Sequence, residues 1–176
     1  AESFPDVLAR AGYTTQDALT RLVAEWKALL ERTRIDFLVA EHAPGALLAA
    51  RILRIPTLAM GTGFVVPPSY SPLPRLRQPD SNPRPDAYCT PDSDNRSDAE
   101  SRASMTAREQ AMLRGFNDVL EKYATAPLGK LGELFNQNKP ALFTYAELDP
   151  YRSDRPGAAY LGVTHRARTA TGDAPD

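Results

Sequence analysis

Glu41 and His42 stand directly after the apolar run Phe37-Leu38-Val39-Ala40, and Gly61-Thr62-Gly63 stands directly after Thr57-Leu58-Ala59-Met60. A carboxylate can orient an imidazole that takes a proton from a hydroxyl, and glycines let a main chain turn tightly beside a ligand. The residues between the two runs, from Pro44 to Leu53, have the composition of a helix. Strand, helix and strand in that order predict a right-handed βαβ unit with parallel strands. The carboxyl ends of two such strands share one rim, where open α/β sheets bind ligands.

Glu41 and His42 are sequence neighbours at a strand end, so their side chains diverge and do not form an acid–base pair. Glu41 has two readings: an acid that orients a histidine from another loop, or a helix N-terminal acid favoured by the dipole beside Pro44. His42 reads as a capping or packing residue ahead of a catalytic one.

Other chemistries lack their residues. A dinucleotide turn needs a third glycine three residues on and a helix opening there. This chain has Val66 followed by Pro67-Pro68, so the glycines are read as a chain turn. There is no Gly-x-Ser-x-Gly elbow and no Gly-x-x-x-x-Gly-Lys loop. His42, His165 and Cys89 are scattered and give no zinc spacing, and His165 is expected to be solvated. The alternating charges from Asp92 to Arg102 lack a calcium loop's glycine and read as a solvated face. No metal site is expected.

These residues must be held by a frame. Thr14 or Thr15 can cap a helix whose apolar stripe is Leu19, Leu22, Val23, Trp26, Leu29 and Leu30, with Trp26 in the core and Lys27, Glu31 and Arg32 on the wet side. Phe37–Ala40 reads as a strand buried on both faces. Pro44 fits a first helical turn, small Ala46, Ala49 and Ala50 allow close packing on a sheet, and Ile55-Pro56 ends the helix. Eight of the chain's 16 prolines fall between Pro67 and Pro91, which predicts a long loop over 67–103. Thr106 and Glu109 match a capping box that opens a helix carrying Met112, Phe116, Val119, Leu120 and Tyr123. A shorter helix over Leu131, Leu134 and Phe135 and strands at Ala141–Tyr145 and Tyr160–Val163 follow. Residues 1–163 read as one α/β unit and 164–176 as a linker or tail.

The 176 residues suffice for one ordinary domain, and 42% of them are apolar. A net charge of −1 offers no basic field for nucleic acid. No apolar run reaches the roughly 18 residues that span a bilayer. The single cysteine, Cys89, excludes an internal disulfide and suits a cytoplasmic location. The opening Ala1-Glu2-Ser3-Phe4-Pro5 is not a signal peptide and carries no initiator Met, so a sequence cut from a longer protein is expected.

Leu38-Val39-Ala40-Glu41-His42-Ala43-Pro44, Ala46 to Arg51, Ile55-Pro56, Gly61-Thr62-Gly63-Phe64 and Pro67-Pro68 together resemble the acceptor domain of GT-B nucleotide-sugar glycosyltransferases of the macrolide and flavonoid type. Glu147 to Tyr151, Arg155 to Ala158 and Tyr160 to Gly162 are similar to the end of that domain. The resemblance implies part of a Rossmann-like parallel sheet flanked by helices. It implies that Glu41 orients a catalytic histidine absent from this sequence, and that His42, Gly63, Phe64 and Val65 line an acceptor pocket. The partners implied are a small apolar acceptor and the missing N-terminal and donor-binding segments. The nucleotide-sugar donor would be bound by the latter, with no other cofactor, and the chain alone should be inactive. Two other readings stand beside this one: a non-catalytic α/β module that pairs with a separate donor-domain subunit, and an unrelated nucleotide-binding domain.

Overall fold

A short parallel sheet is built around the βαβ unit. The computed structural model describes residues 3–13, 15–69, 71–73 and 95–162, with side chains of the fourth helix described from Arg102 onward. Strands β1 (Leu38–Ala40), β2 (Thr57–Gly61) and β3 (Ala141–Leu142) lie side by side in that order, all parallel. Leu38 pairs with Thr57, and Met60 with Ala141. Helices α1 (Phe4–Arg10), α2 (Gln16–Thr33), α3 (Pro44–Leu53) and α4 (Asn95–Lys122) complete the frame. The protein is thus α/β, a small open parallel sheet flanked by helices.

Local chemistry explains the helix ends. Asp6 accepts hydrogen bonds from the Ser3 backbone N–H and hydroxyl, both at 3.0 Å, and Pro5 sits in the first turn of α1. The Thr15 hydroxyl accepts from the Ala18 N–H and caps α2. Along α2, Leu19, Val23 and Leu30 are buried and Trp26 packs against the core, as the stripe predicts, while Leu29 on the same stripe faces outward. Gly45 lets α2 approach the start of α3: a Cβ there would stand 3.1 Å from both Leu22 Cδ2 and Trp26 Cδ1. Ala46, Ala49 and Ala50 of α3 are buried, and Ile55-Pro56 follows its end. Leu47 and Leu48 join Phe116, Val119, Leu120, Leu131 and Leu134 in one core.

Six expectations are corrected. The first strand is buried on one face only, because Phe37 and Val39 are 49% and 51% exposed. Ala40 and Ala59 point into the core, and no described helix covers the alternate positions of β1. The capping box at Thr106 does not form. Helix α4 starts at Asn95, which also shortens the predicted 67–103 loop. Thr106 bonds back to the Arg102 carbonyl one turn earlier, and buried Glu109 instead accepts from the Leu73 N–H at 2.6 Å. Leu131–Phe135 is a 3-10 turn in place of the short helix. The predicted Ala141–Tyr145 strand ends at Leu142, and Tyr160 makes one parallel bridge to Leu142 where a strand was expected. Val163, His165, Cys89, Thr14 and the predicted tail lie outside the described residues.

Candidate functional site

The rim at the carboxyl ends of β1 and β2 brings Glu41 to Gly61. Pairing of Ala40 with Ala59 carries Glu41 off β1 just as β2 ends. A Cβ placed on Gly61 would stand 3.2 Å from Glu41 Cγ and 3.4 Å from its Oε1. It would also come within 2.5 Å of Val65 Cγ2, and Gly61 holds φ +137, so the position is fitted for glycine. Glu41 is exposed. No side chain caps α3, whose N-cap is Ala43, so Glu41 makes no capping bond there. Its carboxylate points where β2 ends, with room for a hydrogen-bond donor from outside.

His42 goes the other way. Its φ is +44, a left-handed conformation uncommon outside glycine. The turn lays the imidazole edge-on to Phe4, with centroids 6.2 Å apart and planes at 76°. Nε2 is buried and has no hydrogen-bond partner among the described residues. The ring is packing against the core and offers no accessible Nε2 to a ligand. Phe4 itself packs edge-on to Phe135 at 5.3 Å, so the rim is anchored through His42 to the centre of the fold.

After Gly61 the chain makes a 3-10 turn over Gly63–Val65, with Val65 N–H on the Thr62 carbonyl at 3.1 Å. No α-helix opens there to hold a diphosphate, as Val66 and Pro67-Pro68 predict. Phe64 on this turn is 37% exposed and Val65 leans toward Gly61. The rim therefore presents one exposed carboxylate and one partly exposed aromatic ring, beside a bend whose glycines, Gly61 and Gly63, are themselves buried.

The wall behind this turn was not legible as such. Arg155 donates from Nη2 to the carbonyls of Gly63 (3.0 Å) and Val66, and its guanidinium lies 5.3 Å from the Tyr151 ring centroid. Arg155 Nε is 3.4 Å from Asp149 Oδ2. The same oxygen accepts from the Tyr160 hydroxyl at 2.8 Å, and Oδ1 accepts from the Tyr151 N–H at 2.9 Å. Burial, and then the hydrogen bond and charge of Asp149, push the Tyr160 phenol above its ordinary pKa. Asn136 holds the Pro67 carbonyl at 2.9 Å. Gly132 has no room for a Cβ against the Pro68 carbonyl. The Asp-Pro-Tyr sequence carries a readable signal for the Asp149 turn, because aspartate accepts from the N–H two residues on. Its contact with the rim has no such signal.

Among the described residues no three His, Cys, Asp or Glu side chains gather as a metal site, and no helix is long and apolar enough to cross a membrane. Comparison with protein-family models, with curated proteins and with solved structures gives no match.

Proposed function

We propose that this chain is part of the acceptor-binding domain of a GT-B nucleotide-sugar glycosyltransferase, acting on a hydroxyl of a small, flat, apolar acceptor. The observation that carries the reading is the Glu41 carboxylate standing at Gly61, on a rim shared by two parallel strand ends. In this reaction a histidine takes the acceptor proton, the freed oxygen bonds to the anomeric carbon, and the nucleoside diphosphate leaves with the electron pair of the broken bond. Glu41 orients that histidine and stabilises its charged form. Neither His42, whose Nε2 is buried, nor His165 is assigned the role, so another segment supplies it. Phe64 and Val65 form an apolar side for the acceptor. A test on the chain itself is titration with the flavonol quercetin, followed by amide chemical shifts. The reading expects perturbations clustered at Glu41, Gly61 and Gly63–Val65. Perturbations confined to other faces would contradict it.

A second reading is favoured by a different observation. Half-exposed Phe37 and Val39 leave one face of edge strand β1 open, whereas parallel sheets are ordinarily covered on both faces. An α/β module that pairs with a separate donor-domain subunit would use that face. Val39→Lys would then abolish co-sedimentation with the donor subunit and leave quercetin binding intact.

A further inference from the structure

We infer that Asp149 is a positioning residue for the rim, holding the turn that carries Phe64 and Val65 in register with Glu41; its consequence for the acceptor rests on the reading proposed above. Asp149 is 6% exposed, and a carboxylate so deeply buried is costly unless neutralised and hydrogen-bonded. Its oxygens are engaged by the Tyr151 N–H, the Tyr160 hydroxyl and Arg155 Nε. The guanidinium that neutralises it binds the Gly63 and Val66 carbonyls, which lie at either end of the turn. The carboxylate also touches the turn directly, since a Cβ on Gly63 would overlap Asp149 Oδ1. From this fixed turn Val65 leans toward Gly61, and Gly61 faces the Glu41 carboxylate. The contacts therefore run without a gap from Asp149 to Glu41. Asp149 itself is buried, so its part is to hold the turn.

Asp149→Asn keeps the shape and removes the charge that holds Arg155 in place. The test is native-state amide exchange combined with quercetin affinity on the same chain. The Val65 amide, bonded to the Thr62 carbonyl, should exchange about tenfold faster, while the Leu47 amide of α3 and the Arg34 amide after α2 keep wild-type rates. Quercetin affinity should fall by about fivefold or more, measured where the variant is still fully folded. Arg155→Lys retains the charge but loses the planar reach to two carbonyls, and should give an intermediate loosening. That variant decides the matter if Asp149→Asn does not fold. Uniformly faster exchange across Val65, Leu47 and Arg34, or no change at Val65, overturns the inference. Local loosening in a chain whose wild-type form binds no flavonol would uphold the positioning role and count against the acceptor reading instead.

Discussion

The Glu41 carboxylate stands beside Gly61, 3.4 Å from where a Cβ on that glycine would lie. Two strand ends separated by a whole helix thus bring an acid and a buried glycine together at one place. The contact depends on Gly61 in two ways: its φ of +137 is open essentially to glycine alone, and any side chain there would meet Val65 and Glu41.

Gly61→Ala should therefore destabilise the fold by about 1–3 kcal/mol, from backbone strain and contact with Val65. Urea unfolding would show a lowered midpoint with an unchanged slope. A stability equal to wild type would mean that the end of β2 is not held in this conformation.

Glu109 should prove more important to stability than an ordinary helix glutamate. It is 2% exposed and accepts a 2.6 Å bond from the Leu73 N–H, tying α4 to the segment after β2. Glu109→Ala is expected to cost about 1–3 kcal/mol, the range for leaving a buried donor, here the Leu73 N–H, without its partner. Faster amide exchange at Leu73 would accompany the loss. A change within about 0.5 kcal/mol, typical of surface sites, would contradict this assignment.

Tyr160 and Tyr13 set an alkaline limit. Burial raises both phenols above the ordinary value of 10.0. Tyr160 is raised further by Asp149, and the Gly45 backbone partly offsets the rise at Tyr13. A folded-state pKa above the unfolded one means that folding favours the neutral phenol. The stabilisation is complete below about pH 10 and is lost as pH rises through the folded values. Urea midpoints should fall above that pH, and Tyr160→Phe should flatten part of the fall. An identical alkaline profile for Tyr160→Phe would remove Tyr160 from this account.

The βαβ unit was legible because each piece is local. Short apolar runs, alanines between them, Pro44 at one end and Ile55-Pro56 at the other specify strand, helix and strand without distant help. The shared rim follows from parallel topology, so Glu41 and Gly61 could be brought together from the sequence. Burial on both faces of β1 could not be read, because an apolar Phe37 or Val39 looks the same whether or not anything covers it. Helix α4 was begun too late since its first turns carry polar residues and Thr106 imitates a cap. Helix α1 is seven residues long, with its cap at Ser3, and offers too little periodicity to register. The fit of Asp149 against Gly63 is a tertiary contact between segments far apart in the chain, and neither segment names the other.

The central claim is that Glu41 acts on the chemistry at this rim. The most direct measurement is the steady-state kinetics of Glu41→Gln in a polypeptide joining this chain to the histidine-bearing and donor-binding segments that the proposed function requires, with a UDP-sugar and a flavonol. Loss of the orienting charge should lower kcat by about 100-fold, the low end of what general acid–base catalysis contributes, with KM for the acceptor nearly unchanged. A wild-type kcat in that variant would contradict the account.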